Sequence, residues 1–144
     1  MLIKQLSVFL ENKQGRLYAA IDVLGKNNID ISALSLADTS EFGILRLLVD
    51  RPEVAQKALT EAGIVVKITN VVAVAMDDVP GGTTGILNLL AGNGTNIEYM
   101  YACVGKVTGK ALMVIRTDDV ERTEKLLHDS GYGSLDPNDI YRIN

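Results

Sequence analysis

Apolar positions along this chain alternate between two periods. Ile3 to Leu10 is a run rich in Ile, Leu, Val and Phe, as a strand requires. From Arg16 to Lys26 the apolar residues Leu17, Ala20, Ile21 and Leu24 recur at i, i+3, i+4 and i+7, one face of a helix. Gly25 and Asn27-Asn28 end it. Ile29 to Ala37 and Ile44 to Val49 read as strands around a turn at Thr39 to Gly43. Asp50, Pro52 and Glu53 then signal a helix start, with Ala55, Ala58, Leu59 and Ala62 on the apolar face and Gly63 closing it. Ile64 to Ile68 is a fourth strand.

The same order then returns. Val71 to Met76 predicts a strand, Ile86, Leu87 and Leu90 a helix face, and Ile97 to Val104 and Ala111 to Arg116 two more strands. Asp118 and Glu121 open a second helix with Thr123, Leu126, Leu127 and Ser130 on its buried side. A last strand is expected late, near Ile140 to Ile143. Displaced by 66 residues, Gly15 falls on Gly81, Asp30 on Asn96 and Ile31 on Ile97; displaced by 68, Leu59 falls on Leu127 and Gly63 on Gly131. A repeat of this length defines the structural unit. Each copy predicts a βαββαβ unit with both helices on one face of a four-stranded antiparallel sheet, an α+β, ferredoxin-like arrangement. The boundary falls at Thr69-Asn70, giving domains 1–69 and 70–144.

Composition narrows what such a chain does. It has 144 residues, 47% of them hydrophobic, and a formal charge of −4. Lys and Arg are scattered, which disfavours nucleic acid and anionic membranes as partners. The one cysteine, Cys103, allows no internal disulfide and fits a reducing, cytoplasmic setting. The start of the chain lacks the basic-then-apolar order of a signal peptide, and the apolar stretch from Ile64 to Met76 is too short for a membrane helix.

Catalytic candidates are few. His128 is the only histidine, so a Cys103–His128 nucleophile pair is disfavoured against a buried thiol and a surface histidine. A zinc site needs more Cys and His ligands than this chain holds. We expect no catalytic residue, metal or cofactor. The loops after the first strand of each copy are more suggestive: Glu11-Asn12-Lys13-Gln14-Gly15-Arg16-Leu17 and Asp77-Asp78-Val79-Pro80-Gly81-Gly82-Thr83. In each, an acid precedes a polar stretch and a glycine where the helix begins. Such a turn lets the backbone approach a ligand, and the first helical amides can receive a carboxylate. With a polar acceptor nearby, this suits a free amino acid. The same glycines also serve simply as tight strand-to-helix turns, and the spacing supports both readings.

A βαββαβ unit with an Asp/Glu…Pro-Gly loop and a Gly…Asn-Ile approach to its second strand resembles an ACT domain. Asp77, Pro80, Gly81, Gly94, Asn96 and Ile97 carry the pattern in the second copy; Glu11, Gln14 and Asp30 depart from it in the first. The resemblance covers nearly the whole chain as two ACT units. It implies a regulatory module that pairs edge to edge and holds a small ligand between a first loop and the second-strand start of a neighbour. Carried over, the candidate contacts are Asn12, Gln14, Gly15, Arg16 and Leu17 in the first loop, and Pro80, Gly81 and Gly82 in the second. Asp30, Ile31, Asn96, Ile97 and Tyr99 would line the facing strands. Gly82 stands where the first copy has Arg16, and Thr83 where it has Leu17, so unequal sites are expected, with the first loop favoured.

The leading expectation is a non-enzymatic amino-acid sensor, a homodimer, that regulates a separate metabolic enzyme in trans. The alternative is a ligand-free regulatory or structural subunit. An acylphosphatase-like enzyme would rest on Arg16 alone. An RNA-binding reading fails for want of aromatics on the central strands, where only Tyr99 and Tyr101 are near.

Overall fold

The computed structural model of the chain describes residues 1–38, 41–103, 108–133 and 135–140. The elements are β1 (Leu2–Glu11), α1 (Arg16–Lys26), β2 (Ile31–Asp38), β3 (Phe42–Val49), α2 (Pro52–Glu61) and β4 (Val65–Asp77). They continue with α3 (Gly82–Gly92), β5 (Ile97–Cys103), β6 (Lys110–Thr117) and α4 (Val120–Leu127). A π-turn at His128–Tyr132 and a one-turn helix, α5 (Pro137–Ile140), follow. These residues form two compact units, an N-terminal one on Lys4–Thr69 and a C-terminal one on Asn70–Ile140 with Met1–Ile3.

In the N-terminal unit the strand order is β2-β3-β1-β4. β1 and β3 are antiparallel, with Leu6 opposite Leu47 and Glu11 opposite Phe42. Strand alternation sends Leu6, Val8, Leu10, Leu45, Leu47 and Val49 into one core, where they meet Ala20 and Leu24 of α1 and Ala55 and Leu59 of α2. In the C-terminal unit β4, β6 and β5 are neighbours in that order. Val72, Val74, Met76 and Ile115 pack there against Ile86 and Leu90 of α3 and Leu127 of α4. Asp77 faces Lys110 across β4 and β6 just as Glu11 faces Phe42 across β1 and β3.

The α+β arrangement stands, but two separate four-stranded sheets do not. The described residues hold six strands, because the stretches expected at Ile64–Ile68 and Val71–Met76 are one strand, β4. Thr69 and Asn70 carry no Gly or Pro to break it. The late strand expected at Ile140–Ile143 is also corrected in part. Ile140 ends helix α5, and residues 141–143 lie outside the described residues, as do Val104 and part of the turn expected at Thr39 to Gly43. Alongside β4, the C-terminal unit instead holds the beginning of β1. Met1 and Ala73 exchange both backbone hydrogen bonds, at 3.0 and 2.8 Å, as an antiparallel pair does.

Four positions expected on helix faces are exposed: Leu17, Ala62, Leu87 and Ser130. Leu87 lies about 100° around the helix from the fully buried Ile86. Ala62 is the C-cap of α2, and Ser130 lies beyond the end of α4. The caps move as well. Asp119, not Asp118, caps α4 by accepting from the Arg122 amide at 3.0 Å. Asp50 makes no cap for α2 and accepts from the Asp30 amide instead, at 3.1 Å.

Candidate functional site

The two first loops share a backbone and differ in chemistry. Gly15 at φ +85° and Gly81 at φ +81° precede α1 and α3 in the left-handed conformation, which a side chain makes costly. At α1 the Arg16 amide returns to the Lys13 carbonyl at 3.3 Å and the Ala19 amide to that of Gly15 at 3.0 Å. The amides of Leu17 and Tyr18, between them, have no partner among the described residues. They point out of a positive helix end, where an anion is welcome. Asn12, Gln14, Arg16 and Leu17 all lie exposed around that end.

Charge gathers at the same loop. Glu11 pairs with Lys13 at 3.0 Å and stands 3.8 Å from Arg16. The hydrogen bond from Lys13, then its charge and that of Arg16, hold the Glu11 carboxyl below the usual range. In the second loop the corresponding acid, Asp77, is held by Lys110. Pro80 and Gly81 are exposed, and Gly82 is packed against the loop itself. A Cβ on Gly82 would lie 2.0 Å from the Asp77 carbonyl oxygen, so no side chain fits where the first copy carries Arg16.

The second-strand starts do not join these loops within a unit. Asp30 and Ile31 sit at the other end of the 11-residue α1, about 16 Å of helix away. Asn96 and Ile97 stand likewise beyond α3. The repeated position has a structural role through its backbone. The Asp30 amide donates to Asp50 Oδ1 and the Asn96 amide to Asp118 Oδ1, while the Asp50 and Asp118 amides return to the Asp30 and Asn96 carbonyls at 3.2 and 3.3 Å. Asp30 Oδ2 and the Ser32 hydroxyl are buried without a hydrogen-bond partner among the described residues. Ile31 and Ile97 are half-buried, as is Tyr99, which faces Arg116 across β5 and β6.

One feature went unread in the sequence. The N-terminal unit holds a cavity of about 330 Å³ beside Arg16 and Glu11. Phe9 and Leu10 of β1, Ala19 and Val23 of α1 and Phe42 of β3 line it, with the turn from Ala62 to Val65 closing the far side. Phe9 and Phe42 are both phenylalanines of the chain, and both are exposed. Phe9 takes an outward position in the alternation of β1, the signal that could have marked it.

Elsewhere the chemistry is quiet. Burial pushes the Cys103 thiol up to about 11, which suppresses the thiolate a nucleophile needs. His128 is exposed, with Nδ1 3.7 Å from Asp129. Among the described residues no three of His, Cys, Asp and Glu gather as a metal site, and no helix is long and apolar enough to cross a membrane.

These two units, each with a glycine-led loop opening its first helix, match a known module. The chain belongs to the ACT domain pair family, whose profile matches residues 1–141. It is similar to the solved protein BT0572 from Bacteroides thetaiotaomicron, with 40% identity and a TM-score of 0.89 over 99% of this chain and 98% of that one. It shares its fold with the ligand-free regulatory subunit of aspartate kinase from Thermus thermophilus, at 14% identity and a TM-score of 0.62 over 91% and 97% of the two chains. The corresponding subunit from Thermus flavus gives 16% and 0.59 over 90% and 95%. No curated protein matches the chain.

Proposed function

We propose that this protein is a non-enzymatic regulator that binds a free amino acid and controls a separate metabolic enzyme. The observation that carries this reading is the head of α1. There the Leu17 and Tyr18 amides, unpartnered among the described residues, and the Arg16 guanidinium offer one end for a carboxylate, with Glu11 beside them for an ammonium group. The family supplies the context, and the Thermus chains of the same fold are regulatory subunits of an enzyme.

The contacts we assign are Asn12, Gln14, Gly15, Arg16 and Leu17, with a lesser role for Pro80, Gly81 and Gly82. Because α1 and α3 separate each loop from the second strand of its own unit, we assign Asp30, Ile31, Asn96, Ile97 and Tyr99 to the loop of a paired copy. A homodimer in the cytoplasm is therefore part of the reading. Regulation further requires that the ligand bind two states of the assembly unequally.

Calorimetry against the twenty amino acids tests it. Binding of at least one is expected, weakened tenfold or more by Gly15→Val, which forces a β-branched residue to positive φ. Silence from all twenty at millimolar ligand, with an enzyme recovered stoichiometrically in a pull-down, would establish the ligand-free subunit instead.

A further inference from the structure

The first loop says where a zwitterion could rest; the cavity behind it says which kind. Its walls are apolar, with Phe9, Val23, Phe42 and Val65 around the space. Its charged groups, Arg16 and Glu11, are both about half exposed, of opposite sign and 3.8 Å apart. An opening with both signs at its rim and hydrocarbon inside complements a molecule with the same division. At about 330 Å³ it lies at the small end of ligand cavities, which run from about 300 to 1,000 Å³. That size suits a single amino acid and not a nucleotide.

We propose that this cavity takes a free α-amino acid with an apolar side chain, its carboxylate on Arg16, its ammonium on Glu11 and its side chain against Phe9 and Phe42. This rests on the amino-acid-sensing reading above and narrows it. A polar side chain would lose its hydration in a space whose charged groups, Arg16 and Glu11, are already taken by the ligand's own carboxylate and ammonium.

The C-terminal unit supplies the internal comparison. By repeat and register, Ala75 stands for Phe9, Gly82 for Arg16 and Lys110 for Phe42. Both aromatic walls and the guanidinium are gone, and Lys110 is held by Asp77. The proposal therefore assigns one such site per chain.

The test is calorimetry on the full chain with leucine, isoleucine, phenylalanine, glutamine, aspartate and lysine. At least one of the first three is expected to bind with a stoichiometry of one per chain, and the last three at least tenfold more weakly. Ala19→Phe fills the cavity from an exposed helix position and should leave the thermal midpoint unchanged while weakening the apolar ligands tenfold or more. Arg16→Gln should weaken them comparably, and isobutylamine, which lacks the carboxylate, should not bind. Selective binding of aspartate, lysine or glutamine would overturn the proposal and leave the sensing reading standing. So would leucine binding untouched by Ala19→Phe. Should none of the twenty amino acids bind, both fall. Self-association that Ala19→Phe abolishes would show that a second copy of the chain fills the cavity, which also overturns the proposal.

Discussion

Glycine at position 82 is a steric necessity, and this decides how the two loops differ. A methyl group there would meet a backbone oxygen, which cannot swing aside as a side chain can. Gly82→Ala is predicted to destabilise the protein by about 3 kcal/mol. Gly15→Ala meets nothing within 4 Å and costs only its left-handed backbone, about 1–2 kcal/mol. Urea unfolding of the two variants checks the ranking; equal midpoints would refute it. Arg16 could be read as different from Gly82 in the sequence, but the reason could not. The clash depends on how the loop folds back on Asp77, which no local pattern encodes. At Cys103 the buried thiol predicts slow alkylation at pH about 8 in the native protein and rapid alkylation once urea unfolds it. Rapid native reaction would contradict the burial.

Among the elements, β6 and α4 meet through a polar pair. The hydroxyls of Thr117 and Thr123 lie 2.7 Å apart in the core, and Thr123 also donates to the Asp119 carbonyl at 2.8 Å. In the first unit Val49 and Ala55 are buried in the core at the corresponding places. Replacing Thr123 alone with Ala strands the Thr117 hydroxyl and should cost about 1–3 kcal/mol. Thr117→Val with Thr123→Ala should recover much of that loss, because the pair then copies the first unit. A double-mutant cycle by urea unfolding measures the coupling, and strict additivity would count against it. Element order, helix faces and most strands were legible because they rest on periodicity. Ala20, Leu24, Ile86 and Leu90 are buried as their spacing requires. The continuity of β4 was not legible, since a polar Thr-Asn pair is as compatible with a strand edge as with a break. The cavity was not legible either: Phe9, Phe42 and Val65 come from three strands, and only their pairing register brings them together.

On the scale of the molecule, exposed ion pairs add a small dependence on acid. Glu11, Glu53 and Asp129 are held below their ordinary values, each first by a hydrogen bond from a lysine: Lys13, Lys4 and Lys125. A depressed carboxylate stabilises the fold above its unfolded value, and that contribution disappears as the pH falls through the folded value. The urea midpoint is therefore predicted to be flat from pH about 8 to 6 and to fall below about 4, where Asp and Glu ordinarily titrate. All three groups are exposed to solvent, so the contribution is small and about 0.5 M salt should blunt it. A midpoint that rose on acidification would contradict the assignment.

The pairing of Met1 with Ala73 has a consequence in the time domain of protein synthesis. The N-terminal unit's core, from Leu6 to Leu59, can assemble as soon as its own residues have left the ribosome. The C-terminal unit needs Met1–Ile3, made before that core, beside β4, α3, β5, β6 and α4, made after it. Its closing contact spans 72 positions of chain, and loop closure over such a distance is slow compared with local pairing. The second unit is thus completed with residues synthesised before the core of the first.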